Sequence, residues 1–174
     1  MTEFVAGGRR RIDRVLDPHF LRDLSQFDMG DIRARRAEAQ QEEVDLSYAR
    51  RLLQGRIDLL RAEQASRSGQ GPLAEHPRTD EEIVAALKVI LTDDPATVDS
   101  SVRHLRTEPS RVGEHRREAE RAVADVGGSD LVSSTEGQLA DAIAELAAIE
   151  GRISRSRKRV QRVVDALTEE VARR

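Results

Sequence analysis

Ten residues of this 174-residue chain form two copies of one pattern. The first copy is Glu43, Ser47, Arg50, Gln54 and Asp58, and the second is Glu150, Ser154, Arg157, Gln161 and Asp165. All five residue types coincide, and so do all four spacings. On a helix the five positions fall within an arc of roughly 80°, so each copy makes one polar stripe about four turns long. Arginine donates in a planar fork that suits a phosphate or the O6/N7 edge of guanine. Asp and Glu accept the N1–H and N2–H₂ donors that guanine alone among the bases presents together. Ser and Gln can bond phosphate or ribose. The stripe therefore suits a ligand that is anionic and carries guanine-like edges. A plainer reading stands beside it, in which Glu–Arg cross-pairs fix the register of a coiled coil. That reading accounts for Glu43, Arg50, Glu150 and Arg157 but gives no reason for Ser, Gln and Asp to repeat.

Two long helices must position these stripes. From Asp31 to Ser66 only Gly55 interrupts a run of good helix formers, and Glu136 to Ala172 holds Gly151 as its one glycine beyond the first turn, where Gly137 stands. In the second stretch Leu139, Leu146, Ile153, Val160 and Leu167 recur every seven residues, and Leu46, Leu53 and Leu60 do so in the first. A seven-residue apolar repeat specifies a left-handed coiled coil. Both helices break the pattern at the same two places, where Glu and then Arg stand in the seam. A charge there forfeits apolar burial and must find a partner or stay wet. The expected fold is all-α: an antiparallel two-helix coiled-coil hairpin with short accessory helices in a mobile middle segment. Residues 1–17, with Gly7-Gly8 and Arg9-Arg10-Arg11, read as a flexible basic arm. Residues 18–67 hold a lead-in turn at Asp17-Pro18 and the first long helix, 68–135 a linker and the accessory helices, and 136–174 the second long helix. Within the middle, Thr79 and Glu82 form a capping box for a helix through Ile83, Leu87, Ile90 and Leu91. A weaker patch follows Asp94-Pro95, and a helix over 111–126 closes at Gly127-Gly128.

Composition narrows the function classes. Charged residues make up 35% of the chain and aromatics 2%, too little aromatic surface to enclose a deep apolar pocket. The absence of cysteine excludes a disulfide framework, a thiolate zinc site and a cysteine nucleophile. No apolar run approaches a membrane span, and the N-terminus has no signal-peptide core, so a soluble, cytoplasmic protein without membrane contact is expected. His19, His76, His104 and His115 lie in different segments without metal-ligand spacing and read as surface residues. With no phosphate loop or nucleophile elbow either, neither catalytic nor metal-binding residues are expected, and the protein reads as a non-enzyme. Residues 152–162 hold six basic side chains and no acidic one, which keeps a nucleic-acid-binding helix in view. A net charge of −3 and the lack of stacking aromatics weigh against direct DNA contact. The third possibility is a coiled-coil adaptor that binds a protein without any ligand.

The duplicated E-x3-S-x2-R-x3-Q-x3-D stripe resembles the cyclic-di-GMP signature of the RsiG anti-sigma factors of sporulating actinobacteria, and both copies match it at every position. The resemblance implies a coiled coil whose two stripes hold a partly intercalated dimer of two cyclic-di-GMP molecules. It further implies that the loaded protein sequesters a WhiG-type, flagellar-class sigma factor from RNA polymerase and so blocks transcription. On that basis Arg50 and Arg157 take guanine Hoogsteen edges or phosphates. Glu43, Glu150, Asp58 and Asp165 take Watson–Crick edges, while Ser47, Ser154, Gln54 and Gln161 contact phosphate or backbone. Arg51, Arg56, Arg155, Lys158 and Arg162 add screened attraction. One chain carries both half-sites, so the protein is expected to be a monomer alone and a heterodimer with sigma.

Overall fold

The structure, a computed structural model, describes residues 3–69, 113–127 and 134–174. Its elements are α1 (Arg11–Val15), two 3₁₀ turns (Pro18–Leu21 and Leu24–Gln26), α2 (Met29–Arg67), α3 (Glu114–Gly127) and α4 (Glu136–Arg173). Among the described residues there is no strand, and no helix is long and apolar enough to cross a membrane. The expected accessory helices over 79–91 and 95–109 lie outside the described residues.

Local chemistry sets the ends of both long helices. Asp28 caps α2 by accepting the Asp31 N–H at 2.8 Å. Thr135 and Gln138 form a reciprocal capping box at the start of α4, with bonds of 3.2 and 2.8 Å. α2 stops where Gly69 enters the left-handed region at φ +69°, which costs a glycine little.

The two long helices pack closely along each other and run in opposite directions. Near one end of α2, Arg174 donates to the carbonyls of Leu24 and Phe27 at 2.7 and 2.8 Å. Further along, Glu43 meets Arg157 and Arg50 meets Glu150, so seven residues forward on α2 match seven backward on α4. At the far end Arg67 donates to the carbonyl of Ser134. Every leucine-type heptad position expected in the seam is buried: Leu46, Leu53 and Leu60 on α2, and Leu139, Leu146, Ile153, Val160 and Leu167 on α4.

Three expectations are corrected. The N-terminal residues are not a loose arm. Asp13 folds its own N-terminal neighbours around it, accepting from the Val5 N–H at 2.8 Å and from Arg10 Nε and Nη2, both at 2.8 Å. Gly8 lies so close that a Cβ there would come within 2.1 Å of the Asp13 carboxylate, which explains one glycine of the Gly-Gly pair. α1 then buries Ile12 and Val15 in the same core as the long-helix seam. The second correction concerns the middle: its last part, α3, packs on α2 with Ala119 buried and Arg116 5.0 Å from the Tyr48 ring centroid. The third is His115, which is 4% exposed and bonded through Nε2 to Glu42 of α2. His19 is exposed, as expected, beside Asp17. His76 and His104 lie outside the described residues.

The His115 contact belongs to a buried ionic node. Glu42 and Asp45 are each 2% exposed, and Arg11 of α1 reaches them at 3.5 and 3.2 Å. Gln41 donates to Asp45 at 3.0 Å. Two carboxylates this deep need compensation from more than one side, and α1 and α3 provide it from two elements.

Two outcomes test this account. Leu53→Ala should cost about 2–5 kcal/mol by chemical denaturation, because Leu53 is fully buried in the seam. Leu59→Ala, at a position 47% exposed, should stay within about 0.5 kcal/mol. Equal costs would contradict the assigned seam.

The second outcome is a pH dependence. The Asp13 carboxyl is held down from the ordinary 3.8 to about 2, chiefly by its hydrogen bonds from Arg10, then by the Val5 and Arg10 backbone N–H groups, against the opposing effect of burial. A depressed carboxyl pKa contributes stability in full above its unfolded value and loses it as pH falls through the folded value. The amide protection factor of Val5 should therefore be intact at neutral pH and decline as pH falls from about 3.8 to about 2. Asp13→Asn should lower that protection at neutral pH.

Candidate functional site

The two polar stripes come together because α2 and α4 are antiparallel and in a particular register. Each motif places its Arg seven residues after its Glu, which is two helical turns. Running the helices in opposite directions therefore sets the Glu of each copy opposite the Arg of the other. Arg157 Nη1 donates to Glu43 Oε1 at 3.3 Å, and Arg50 Nη1 stands 4.0 Å from Glu150 Oε1. A local two-fold axis thus passes between the pairs, with both half-sites on one chain.

The serines obey the same symmetry. Ser47 Oγ donates to Glu43 Oε1 at 3.1 Å and Ser154 Oγ to Glu150 Oε1 at 2.7 Å, each one turn along its own helix. They aim the carboxylates across the seam. The glutamines do not obey it. Gln161 Nε2 crosses to Glu43 at 3.2 Å, whereas Gln54 Nε2 stays on its own helix and donates to Asp58 at 2.9 Å. Glu43 is consequently gripped from three sides and its side chain is 11% exposed, while that of Glu150 is 21% exposed.

Asp58 and Asp165 are not part of the paired centre. The register puts them at opposite ends of the patch, about 35 Å apart at 1.5 Å per residue. Arg61 stands 3.9 Å from Asp58, and Asp165 lies on the exposed side of α4. The site is thus a long shallow strip with a neutralised centre and a carboxylate at each end.

The arginines carry the most informative detail. In each copy the guanidinium Nε is buried and has no hydrogen-bond acceptor among the described residues. An unsatisfied buried donor costs about 1–3 kcal/mol, so the protein holds both forks with part of their donor capacity unused. The orphan donors recur at equivalent places in the two copies, and Arg36 and Arg56, elsewhere on α2, carry a buried Nε of the same kind. Arg51 is exposed beside the strip on α2, whereas Arg155, Lys158 and Arg162 are exposed towards the outer face of α4.

Sequence reasoning assigned no role to Arg11, Glu42 or His115, which join α1 and α3 to the stretch of α2 where the first stripe begins. A Glu-Glu-x-Asp run on a helix reads as a solvated face unless its covering elements are known. Among the described residues no group of three His, Asp or Glu side chains is disposed to hold a metal ion.

No curated protein matches the chain. The RsiG family model, described as RsiG-like, matches residues 18–87, a stretch that takes in the 3₁₀ turns, all of α2 and the complete first motif. The second motif, on α4, lies beyond the matched residues. Over residues 18–87 the chain is similar to the RsiG family, and that similarity supports an RsiG-type anti-sigma factor.

Proposed function

We propose that this protein is a cytoplasmic, cyclic-di-GMP-dependent anti-sigma factor. In this reading α2 and α4 form a two-stranded coiled-coil hairpin that binds a cyclic-di-GMP dimer along the paired stripes and then sequesters a WhiG-type sigma factor from RNA polymerase. The observation that carries the reading is the mirrored pair of arginines, each crossed to a carboxylate of the other motif and each with a buried, unsatisfied Nε. A guanine Hoogsteen edge or a phosphate offers acceptors of the kind these forks lack. As the arginines turn to the ligand, Glu43 and Glu150 become available for guanine N1–H and N2–H₂ donors. The exchange conserves charge pairing in the seam, so binding leaves no buried carboxylate bare. Asp58 and Asp165 then serve the outer guanines at the two ends of the strip.

Coupling to sigma follows from linkage. A ligand that promotes sigma binding must itself bind the sigma-bound protein more tightly, by the same factor. A strip whose ion pairs span 3.3 and 4.0 Å gives the ligand something to tighten. A second reading, a ligand-independent coiled-coil adaptor, draws on the same cross-pairs, since they already fix the register without help.

Calorimetry distinguishes the two. Arg50→Ala or Arg157→Ala should weaken cyclic-di-GMP binding about tenfold or more, the loss of a charge-assisted contact of roughly 1.5–3 kcal/mol. Cyclic-di-AMP should not bind, because the carboxylates would face acceptors; equal affinity for it would end the guanine assignment.

The coupling is tested by sigma pull-down across a cyclic-di-GMP titration. Wild type should capture the sigma factor only with the nucleotide present, and Asp58→Ala/Asp165→Ala should fail at the same concentrations. Capture by wild type without nucleotide would reduce the protein to the adaptor.

A further inference from the structure

The outer face of α4 carries a feature that neither the seam nor the nucleotide strip uses. Arg152, Arg155, Lys158, Arg159 and Arg162 span an arc of roughly 120° on the side of the helix away from α2. Among the described residues none of the five forms an ion pair with a carboxylate. The Arg159 guanidinium lies 5.4 Å from the Phe4 ring centroid, and Arg162 donates to the Lys158 carbonyl at 3.4 Å. At one edge this face opens into a cleft of about 200 Å³. Val15, Leu16, Pro18 and Leu21 wall it from the N-terminal side and Val163 from α4, with Arg159 and Arg162 completing the α4 wall. The volume is below the range typical for drug-sized ligands and accommodates one bulky apolar side chain.

We propose that this cleft and the basic face beside it form a protein-docking surface. Its occupant is an acidic segment of the partner protein with one large apolar residue seated against Pro18 and Leu21. Charge complementarity argues for that occupant: Arg159 and Arg162 line the cleft, and Arg152, Arg155 and Lys158 extend the basic face along α4, none with an acidic partner among the described residues. A nucleic-acid backbone fits less well, because it carries no apolar side chain to fill the space between Pro18, Leu21 and the stems of Arg159 and Arg162. The inference rests on the anti-sigma reading only in requiring a protein partner. It places part of that partner on the side of α4 turned away from the nucleotide strip.

The test measures affinity for the WhiG-type sigma factor, in saturating cyclic-di-GMP, for wild type, Arg152→Glu/Arg159→Glu and Leu21→Glu. Circular dichroism and direct cyclic-di-GMP titration check each variant's fold and strip. Both variants should bind sigma about tenfold more weakly or worse. The double variant should also lose most of the salt dependence seen with wild type, and cyclic-di-GMP affinity should stay within about twofold of wild type. If Leu21→Glu does not fold, Leu21→Ala replaces it, with a smaller loss expected.

Unchanged sigma affinity in variants that still bind nucleotide overturns this inference and leaves the anti-sigma reading standing. Failure of wild type to bind sigma at any nucleotide concentration overturns both. Two further arms identify a wrong occupant: random-sequence duplex DNA bound by wild type and lost on charge reversal, or a wild-type dimer in sedimentation that the charge reversal dissociates. Either result overturns the proposal.

Discussion

The antiparallel register of α2 and α4 is the constraint on which the remaining structure depends. A seam of Leu46, Leu53 and Leu60 against Ile153, Leu146 and Leu139 supplies the burial that holds a long helix in place, since most helical stability in proteins comes from packing. The same register decides where the charges in the seam meet. With Glu and Arg two turns apart on each helix, opposition in antiparallel order cancels both charges of both copies. A shift of one heptad would bring Glu43 to Glu150 in one direction and Arg50 to Arg157 in the other, and the desolvation cost would have no offset. Polar residues thus select one register from several that the leucines alone would accept.

α2 is the hub around which everything else is arranged. It is covered by α4 along its leucine face and by α1 and α3 elsewhere. This explains how Glu42, Glu43 and Asp45, three acids within four residues, are all buried. Each is served from a different direction: Glu43 by Arg157 and Gln161 of α4, Asp45 by Arg11 of α1, and Glu42 by Arg11 and His115 of α3. Pairing of this kind adds little net stability compared with an apolar core, but it is demanding about geometry. It ties the N-terminal helix and α3 to the stretch of α2 where the first polar stripe begins.

The parts of this architecture that could be read from the sequence are those governed by periodicity. The heptad leucines, the limits of the two long helices to within two residues and the two stripes follow from spacing alone. The meeting of the stripes also follows, once antiparallel pairing is inferred. What could not be read depends on contacts distant in sequence or on side-chain choice. Arg9-Arg10-Arg11 looks like a solvated basic tail until Asp13 and the buried acids of α2 are placed beside it. His115 looks like a surface residue because its partner, Glu42, lies 73 positions away on another helix. The divergence of Gln54 from Gln161 is a choice between two nearby acceptors, and identical motifs carry no trace of it.

That divergence has a consequence for how a duplicated site can evolve. Where two half-sites come from two identical chains, every substitution appears twice, and the symmetry is compulsory. Here each half is encoded separately, so one glutamine can close its carboxylate while the other leaves its counterpart more open. The local concentration of one half around the other is also set by the fold and not by how much protein the cell makes. Assembly of the site is therefore independent of dose: halving the amount of protein halves the number of sites without weakening any of them, which an obligate dimer near its dissociation constant could not achieve.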